Sequence, residues 1–342
     1  MGLRDLPLFL STFWPETGTW LNASRVGHGH IHLSFRLETE VGVFFLQQFN
    51  SQVFQQPEVV ANTLRLIGTL SDTAAIGSLP AWIPTKTGEA YATSGANSLW
   101  RLFPWLEHAS TPRINTEAIG KAAFAFGAWT KQVNQLDVSQ IQAPITGFHH
   151  LPASWMAMTS NWNTASGTRK FRASETYTRL GEGAPLLRRY ERLTRFLPLR
   201  IIHADAKIDN LLFDSVTHEP SFVVDLDTVM PGYLWMDLGD MIRSMACSLP
   251  EGDPNISEVA VVPEIMETIF HQYQAAMTGW ITEAEQSSLL AGAELILFEQ
   301  ALRFLADFLA GDLYYPISYP EENLVRAQNQ LMLWESYRGI IG

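Results

Sequence analysis

At 342 residues, with 46% of them hydrophobic, 17% charged and mean hydropathy near zero, the chain has the composition of an ordinary globular protein. That length suits one large domain or two modest ones around a sizeable core. A formal net charge of −12 without any Lys/Arg cluster argues against nucleic acid and anionic membranes as main partners, since both need a basic footprint, and favours a cationic substrate slightly.

In chain order, the opening MGLRDLPLFLSTFW has Asp directly after its one Arg and is broken by Pro7 and Ser11, so it reads as neither a signal peptide nor a myristoylation site. IHLSFRLE (31–38) and VGVFFLQQF (41–49) are Val- and Phe-rich runs around ETEVG and predict an antiparallel pair. PEVVANTLRLIGTL (57–70) starts with Pro and repeats apolar residues at helical spacing. EAYATS (89–94) and LWRLFPWL (99–106) predict two further strands, with AWIPTKTG a loop before them. From about residue 107 the pattern turns helical. Helices are predicted over 115–136, over 257–280 with an alternative start after Pro263, over 281–311, and over ENLVRAQNQLMLWESY; ASWMAMTSNWNTASG reads as a loop. The economical division is a β-rich lobe over 1–105 and a helical lobe over 106–342. The single cysteine, Cys247, allows no internal disulfide and reads as a small buried hydrophobe. No run approaches the ~20 apolar residues of a membrane span, and a cytoplasmic protein is expected.

The chemistry concentrates in IIHADAKIDNLLFD (201–214), where His203, Asp205, Lys207 and Asn210 interrupt an apolar run. SFVVDLD (221–227) follows, with Asp225 at the end of a β-branched stretch. The order of strand, turn (DSVTHEP) and strand predicts a hairpin with polar groups displayed at one end. Phosphoryl transfer is mostly positioning and charge neutralisation, and it wants a carboxylate near the attacking hydroxyl with hard oxygen ligands for Mg2+. Asp205 fits the first role, Asn210 and Asp225 fit the second, and Lys207 is within reach of phosphate or substrate oxygens. Among the tryptophans, Trp334 is the candidate for stacking on a sugar or an adenine. His149 and His150 are adjacent, so their side chains point apart, and they read as structural or substrate-adjacent.

This segment resembles the Brenner motif of the aminoglycoside phosphotransferase family, and HADAKIDNLLFD…FVVDLDTVMPG…MDLGDMIR is most similar to the N-acetylhexosamine 1-kinases within it. RVGHGHIHLSFRLE, FFLQQFNSQVFQQPEVVANT, FGAW…ITGFHHLP and RFLADFLAGDLYY extend the likeness from about residue 25 onward. The resemblance implies an α+β, protein-kinase-like two-lobed fold with a small antiparallel sheet in the N-lobe and a mainly helical C-lobe. It implies ATP and Mg2+, a sugar acceptor, and a monomer or homodimer. Asp205 and Lys207 would then be catalytic, and Asn210, Asp225 and Asp227 would hold the metal. Arg303 and Tyr314 would lie near the sugar, Gly27, Gly29 and His30 near the nucleotide phosphates or the sugar, and Phe103 and Trp105 on the strand meeting the adenine. Asp237, in MDLGD, would brace the catalytic loop, and His203 would orient it.

Two departures stand out. Kinase-like folds place a Lys on the third strand to hold nucleotide phosphates. FFLQQFN has Gln47 and Gln48 instead, with Gln48 the expected equivalent. Either another cation, such as Arg25 or Arg36, takes that role, or turnover is slow or lost. Asp209 stands where Asn is usual. The reading is therefore an ATP-dependent small-molecule kinase phosphorylating a sugar hydroxyl, the anomeric one of an N-acetylhexosamine or related hexose. Its rivals are an aminoglycoside- or choline-type phosphotransferase and a catalytically weak nucleotide- or sugar-binding protein.

Overall fold

The computed structural model describes residues 6–26, 31–70, 77–78, 82–95, 98–106, 109–110 and 114–342. Its first half runs α1 (Leu6–Phe13), β1 (Trp20–Arg25), β2 (Leu33–Thr39), β3 (Val43–Phe49), α2 (Pro57–Gly68), β4 (Gly77–Ser78), β5 (Ala92–Ser94), β6 (Ser98–Pro104) and β7 (Ala109–Ser110). Then come α3 (Thr116–Val133), α4 (Leu151–Thr164), α5 (Gly167–Gly181) and α6 (Pro185–Phe196). β8 (Arg200–Ile202), β9 (Leu211–Asp214), β10 (Pro220–Val223) and β11 (Met230–Gly232) carry the motif. α7 (Leu234–Met245), α8 (Pro263–Ala276), α9 (Glu283–Ala310) and α10 (Glu322–Ile341) complete the chain.

The five-stranded sheet has the order β1-β2-β3-β6-β5, every neighbouring pair antiparallel. Side chains alternate across it. Leu37, Leu46, Trp100 and Leu102 face a small core with Phe9, Leu10 and Trp14 from α1 and the turn after it. The opposite face carries cross-strand neighbours Gln47 and Arg101, Phe45 and Phe103, and Phe49 and Leu99. Arg101 and Gln47 reach from this face toward the helical half of the molecule.

That half is organised by α9, whose apolar and polar side chains are buried over most of its length. Thr282 and Glu285 form a capping box at its start, and Gly311, at φ 107°, ends it in the left-handed conformation. α4, α7 and α10 pack around α9, while α3 packs on α8. Two glycines let α7 approach α9. A Cβ on Gly239 would sit 2.6 Å from Ile296 Cβ, and one on Gly292 would sit 2.2 Å from Trp235 Cγ. The predicted hairpin is β9–β10, extended by β4 and β7 into a four-stranded sheet, and β8 pairs with β11. Among the described residues no helix is long and apolar enough to cross a membrane.

Two expectations need correction. ASWMAMTSNWNTASG is not a loop: it forms most of α4 and runs into α5. His150 Nδ1 accepts the Ala153 N–H and Pro152 occupies the first turn, two start signals for a helix. Its buried stripe is Leu151, Ser154 and Met158, so a polar residue sits where the apolar repeat would be read. The strand predicted over 89–94 shortens to Ala92–Ser94. The last long helices fall where predicted, α8 beginning at Pro263.

Candidate active site

The site is built on the crossover from β8 to β9. As β8 ends, the N–H groups of His203 and Ala204 donate to the two carboxylate oxygens of Asp237 at 3.0 and 2.8 Å. Ala204 has φ 61°, a left-handed conformation that a residue with a Cβ holds only when its surroundings impose it. Asp237 supplies one restraint and His149 the other, its Nε2 donating to the Ala204 carbonyl at 2.9 Å. Burial pushes the Asp237 carboxyl up to about 6, against the two backbone N–H bonds that favour its charge. His203 Nε2 donates to the Val224 carbonyl at 3.0 Å, and the ring sits edge-on to Phe126 and Trp129.

Past this brace, Asp205 is the hub. Its Oδ2 accepts from Lys207 Nζ and from Asn210 Nδ2, each at 2.8 Å, and Asn210 Nδ2 also donates to the Asp205 carbonyl at 2.8 Å. Burial raises the Asp205 carboxyl, but Lys207 outweighs it and holds the group below the usual carboxylate range, so Asp205 is ionised at neutral pH. Asp205 returns the effect, keeping Lys207 protonated against burial. Asp209 is exposed to solvent.

Asp225 is set beside the loop by the hairpin: Val224 N–H donates to the Asn210 carbonyl at 2.9 Å. Asp225 is itself left-handed, at φ 58° and ψ 50°. Its carboxyl is pushed up by burial and by the negative charges of Asp227 and Asp205, which makes the position one that gains from a cation. Asn210 has its amide nitrogen turned to Asp205, leaving its carbonyl oxygen as the end suited to a metal. The donor set of Asn210 and Asp225 therefore fits a hard divalent ion.

Asp227 is placed otherwise. Both of its oxygens accept from Arg101, Nη1 at 2.7 Å and Nη2 at 2.5 Å, and Oδ2 also pairs with His32 Nε2 at 2.7 Å. Ligand atoms of His32, Asp225 and Asp227 do lie within 4.8 Å of one another. A cation there would have to compete with a bidentate arginine for Asp227. Burial notwithstanding, Arg101 and His32 hold the Asp227 carboxyl far below the usual range.

The sheet supplies the roof. Gln48 is opposite Trp100, on the face turned to the α1 core, so it is not the residue that looks into the cleft. Gln47 is: its Oε1 accepts from Arg101 Nε at 2.9 Å and Nη2 at 2.5 Å, while Nε2 donates to Ser34 Oγ at 3.1 Å. Arg25, cross-strand to Phe35, lies on the far face with Gln48, and Arg36 pairs with Glu38 and lies over the Trp105 ring, 5.3 Å from its centroid. Phe103 and Trp105 belong to the same roof, Phe103 packing 6.2 Å from Phe45. Gly27, Gly29 and His30 lie outside the described residues.

On the other side of the loop, His149 faces acceptors with both ring nitrogens: Nε2 toward Ala204 and, at 3.3 Å, Asp240, and Nδ1 toward Glu299 at 3.4 Å. Burial lowers its pKa, but the two carboxylates push it up to about 10, so a buried imidazolium stands behind the loop that carries Asp205. Glu299 also takes Ser154 Oγ at 2.5 Å and lies 3.8 Å from Arg303. Arg303 is framed by Phe148, Tyr314 and Tyr315, with its Nη1 on Gln300. Tyr314 is 42% exposed beside it. Trp334 is elsewhere. At 1% exposure it packs in the helical core against Phe298 and donates to Glu294, so the stacking role expected for it is corrected to a core role. Glu294 lies nine residues before Arg303 on α9, about 13 Å along the helix.

A small antiparallel sheet roofing a helical body, with an Asp–Asn loop and a second carboxylate beneath it, defines a protein-kinase-like two-lobed fold. The chain belongs to the phosphotransferase enzyme family, whose model matches residues 22–280, and it is a phosphotransferase acting on a hydroxyl group of a small molecule. Solved structures share the fold. A spectinomycin phosphotransferase in complex with ADP and spectinomycin is 14% identical, with 99% of each chain covered and a TM-score of 0.66. A microcompartment-associated aminopropanol kinase is 16% identical, covering 99% of this chain and 98% of its own, at a TM-score of 0.67. A choline/ethanolamine kinase family protein from Mesorhizobium loti is 16% identical over 100% of this chain and 98% of its own, at 0.55.

Proposed function

We propose that the protein transfers a phosphoryl group from ATP to a sugar hydroxyl, the anomeric hydroxyl of an N-acetylhexosamine or a related hexose, with Mg2+ as cofactor. The observation that carries this reading is the Asp205–Lys207–Asn210 cluster, with Asp225 brought beside it by the β9–β10 hairpin. Asp205, ionised and fixed by two donors, orients the acceptor hydroxyl and takes its proton as transfer proceeds. Lys207 keeps Asp205 charged and offers its remaining protons to phosphate or acceptor oxygens. Asn210 and Asp225 would hold Mg2+, which when bound neutralises phosphate charge. Phe103 and Trp105, under the sheet, suit the adenine.

Lys207 bonds Asp205 directly, Arg303 is framed by Tyr314 and Phe148, and the His149 imidazolium lies buried behind the loop, with the carboxylates Asp240 and Glu299 already committed to His149 and Arg303. A cationic acceptor would meet positive charge, whereas a neutral sugar meets hydrogen-bond donors and the rings of Tyr314 and Phe148. An aminoglycoside- or choline-type acceptor is the competing reading, supported by the substrates named for the similar structures. ADP release measured against N-acetylhexosamines, hexoses, choline, aminopropanol and an aminoglycoside separates the two. Turnover only with sugars, accompanied by loss of reducing-end reactivity, is the expected result, because phosphorylation at the anomeric oxygen blocks ring opening. Turnover confined to cationic acceptors overturns it, and stabilisation by MgATP with no ADP release from any acceptor indicates a binding protein instead.

A further inference from the structure

We infer that Arg101, on the strand beside the uncharged β3, is a positioning residue of the nucleotide site: its charge is spent on Asp227, and through Asp227 it holds Asp225 where a cation needs it. The inference rests on the kinase reading above.

The geometry is specific. On the cleft face of β3 the side chain is Gln47, which carries no charge, and its cross-strand neighbour is Arg101. Arg101 is 4% exposed and Asp227 2%, and both terminal nitrogens of the guanidinium bond the carboxylate while Nε and Nη2 bond Gln47. Gln47 is fixed in its turn, since its amide nitrogen donates to Ser34 and so presents oxygen to Arg101. From the other side His32 reaches Asp227, its Nδ1 accepting the Asn50 N–H at 3.0 Å and its ring stacked on Phe49 and Phe54. One carboxylate is thus gripped by donors from β6 and from the turn just before β2, although it follows the β9–β10 hairpin of the helical half.

A buried ion pair is weak as a source of stability, because desolvation offsets most of its attraction, so its value lies in fixing a geometry. What it fixes is the turn 225–227. Asp225 is left-handed there, a conformation open to Asp that sets where its carboxylate points, and Asp227 is the anchor two residues on. A lysine at 101 would bring charge without the planar fork that serves Asp227 and Gln47 together. Outer partners of this kind typically change metal affinity ten- to a hundredfold when lost.

Titration of Mn2+ and ADP binding to the native protein and to Arg101→Lys and Arg101→Met tests this, with the double variant Arg101→Met/Asp227→Leu included because it leaves no unpaired buried charge. The expected result is weaker Mn2+ binding in the presence of ADP, by about tenfold in Arg101→Lys and more in Arg101→Met and in the double variant, with the KM for the acceptor unchanged in Arg101→Lys. If Asp227 were instead a metal ligand that Arg101 blocks, Arg101→Met would bind Mn2+ more tightly, and equal or tighter binding in both single variants overturns the inference. Absence of Mn2+ and ADP binding by the native protein overturns the nucleotide reading itself.

Discussion

Asp205 accepts from Lys207 and Asn210 with the same oxygen, and because Asn has the shape of Asp, Asp205→Asn changes charge without emptying the space. Asp205→Asn is expected to lower kcat by roughly 10²–10⁴-fold, the range of a lost general base, while nucleotide affinity stays near native; steady-state kinetics with a nucleotide-binding titration check both. Residues of this kind were readable in the sequence because they sit within one short stretch whose spacing the hairpin preserves: 205, 210 and 225 are joined by β9 and β10, and little else is needed to bring them together. Arg101 and His32 were not readable. Each comes to Asp227 across more than a hundred residues, and the only trace was a charged residue interrupting the apolar run LWRLFPWL. That Gln47 rather than Gln48 meets Arg101 follows from strand parity, which a sequence leaves open until one neighbour is known to face the core. Trp334 failed because a buried tryptophan with a hydrogen-bonded indole looks the same in sequence as one stacked on a ligand.

The loop that carries Asp205 is only as rigid as the elements behind it, and α7 carries two of its supports, Asp237 and Asp240. Their depth is set by the glycine between them. Gly239→Ala would push a methyl group against Ile296 and the Ala293 carbonyl on α9. Overpacking of this kind costs about 1–3 kcal/mol, so a lower melting temperature is expected, together with a lower kcat as Asp237 shifts under Ala204. Thermal melts and kinetics on the one variant measure both, and a stability loss with native kcat would show that α7 moves without the loop. At this scale the sequence told most about the strongly periodic pieces, α9 and the β2–β3 pair. It told least about α4, whose inward face carries Ser154 for Glu299 in place of a third apolar residue. A helix that buries a hydrogen bond where the pattern calls for a hydrocarbon loses the periodicity by which helices are recognised.

Across the whole molecule, buried charges divide by whether the fold lowers or raises their pKa, and that division sets the pH range in which the fold is stable. Asp205, Asp227 and Glu299 are held below their ordinary range by basic partners, so they contribute stability above the usual carboxylate pKa that is lost as pH falls. His149 works in the opposite sense. Its pKa rises from 6.5 in the unfolded chain to about 10 in the fold, so its contribution is complete below pH 6.5 and disappears as pH climbs through 10. A tenfold difference in proton affinity between folded and unfolded chain is worth about 1.4 kcal/mol, which makes the alkaline loss one of several kcal/mol. The cause is the position of the imidazolium: deprotonation leaves Asp240 and Glu299 facing each other across a neutral ring, with the Ala204 carbonyl competing for its one remaining proton. The native protein is therefore expected to melt progressively earlier from pH 7 to pH 10. His149→Asn, chosen because Asn tolerates the left-handed φ of 50° at this position, should be less stable at pH 7 and show a flatter decline over the same range. Parallel slopes for the two proteins would mean that the charge on His149 does not govern alkaline stability. The same titration should reach catalysis, since the Ala204 carbonyl that His149 holds belongs to the peptide leading directly into Asp205: kcat should fall over the pH range in which native stability declines, and that coupling should be missing in the variant.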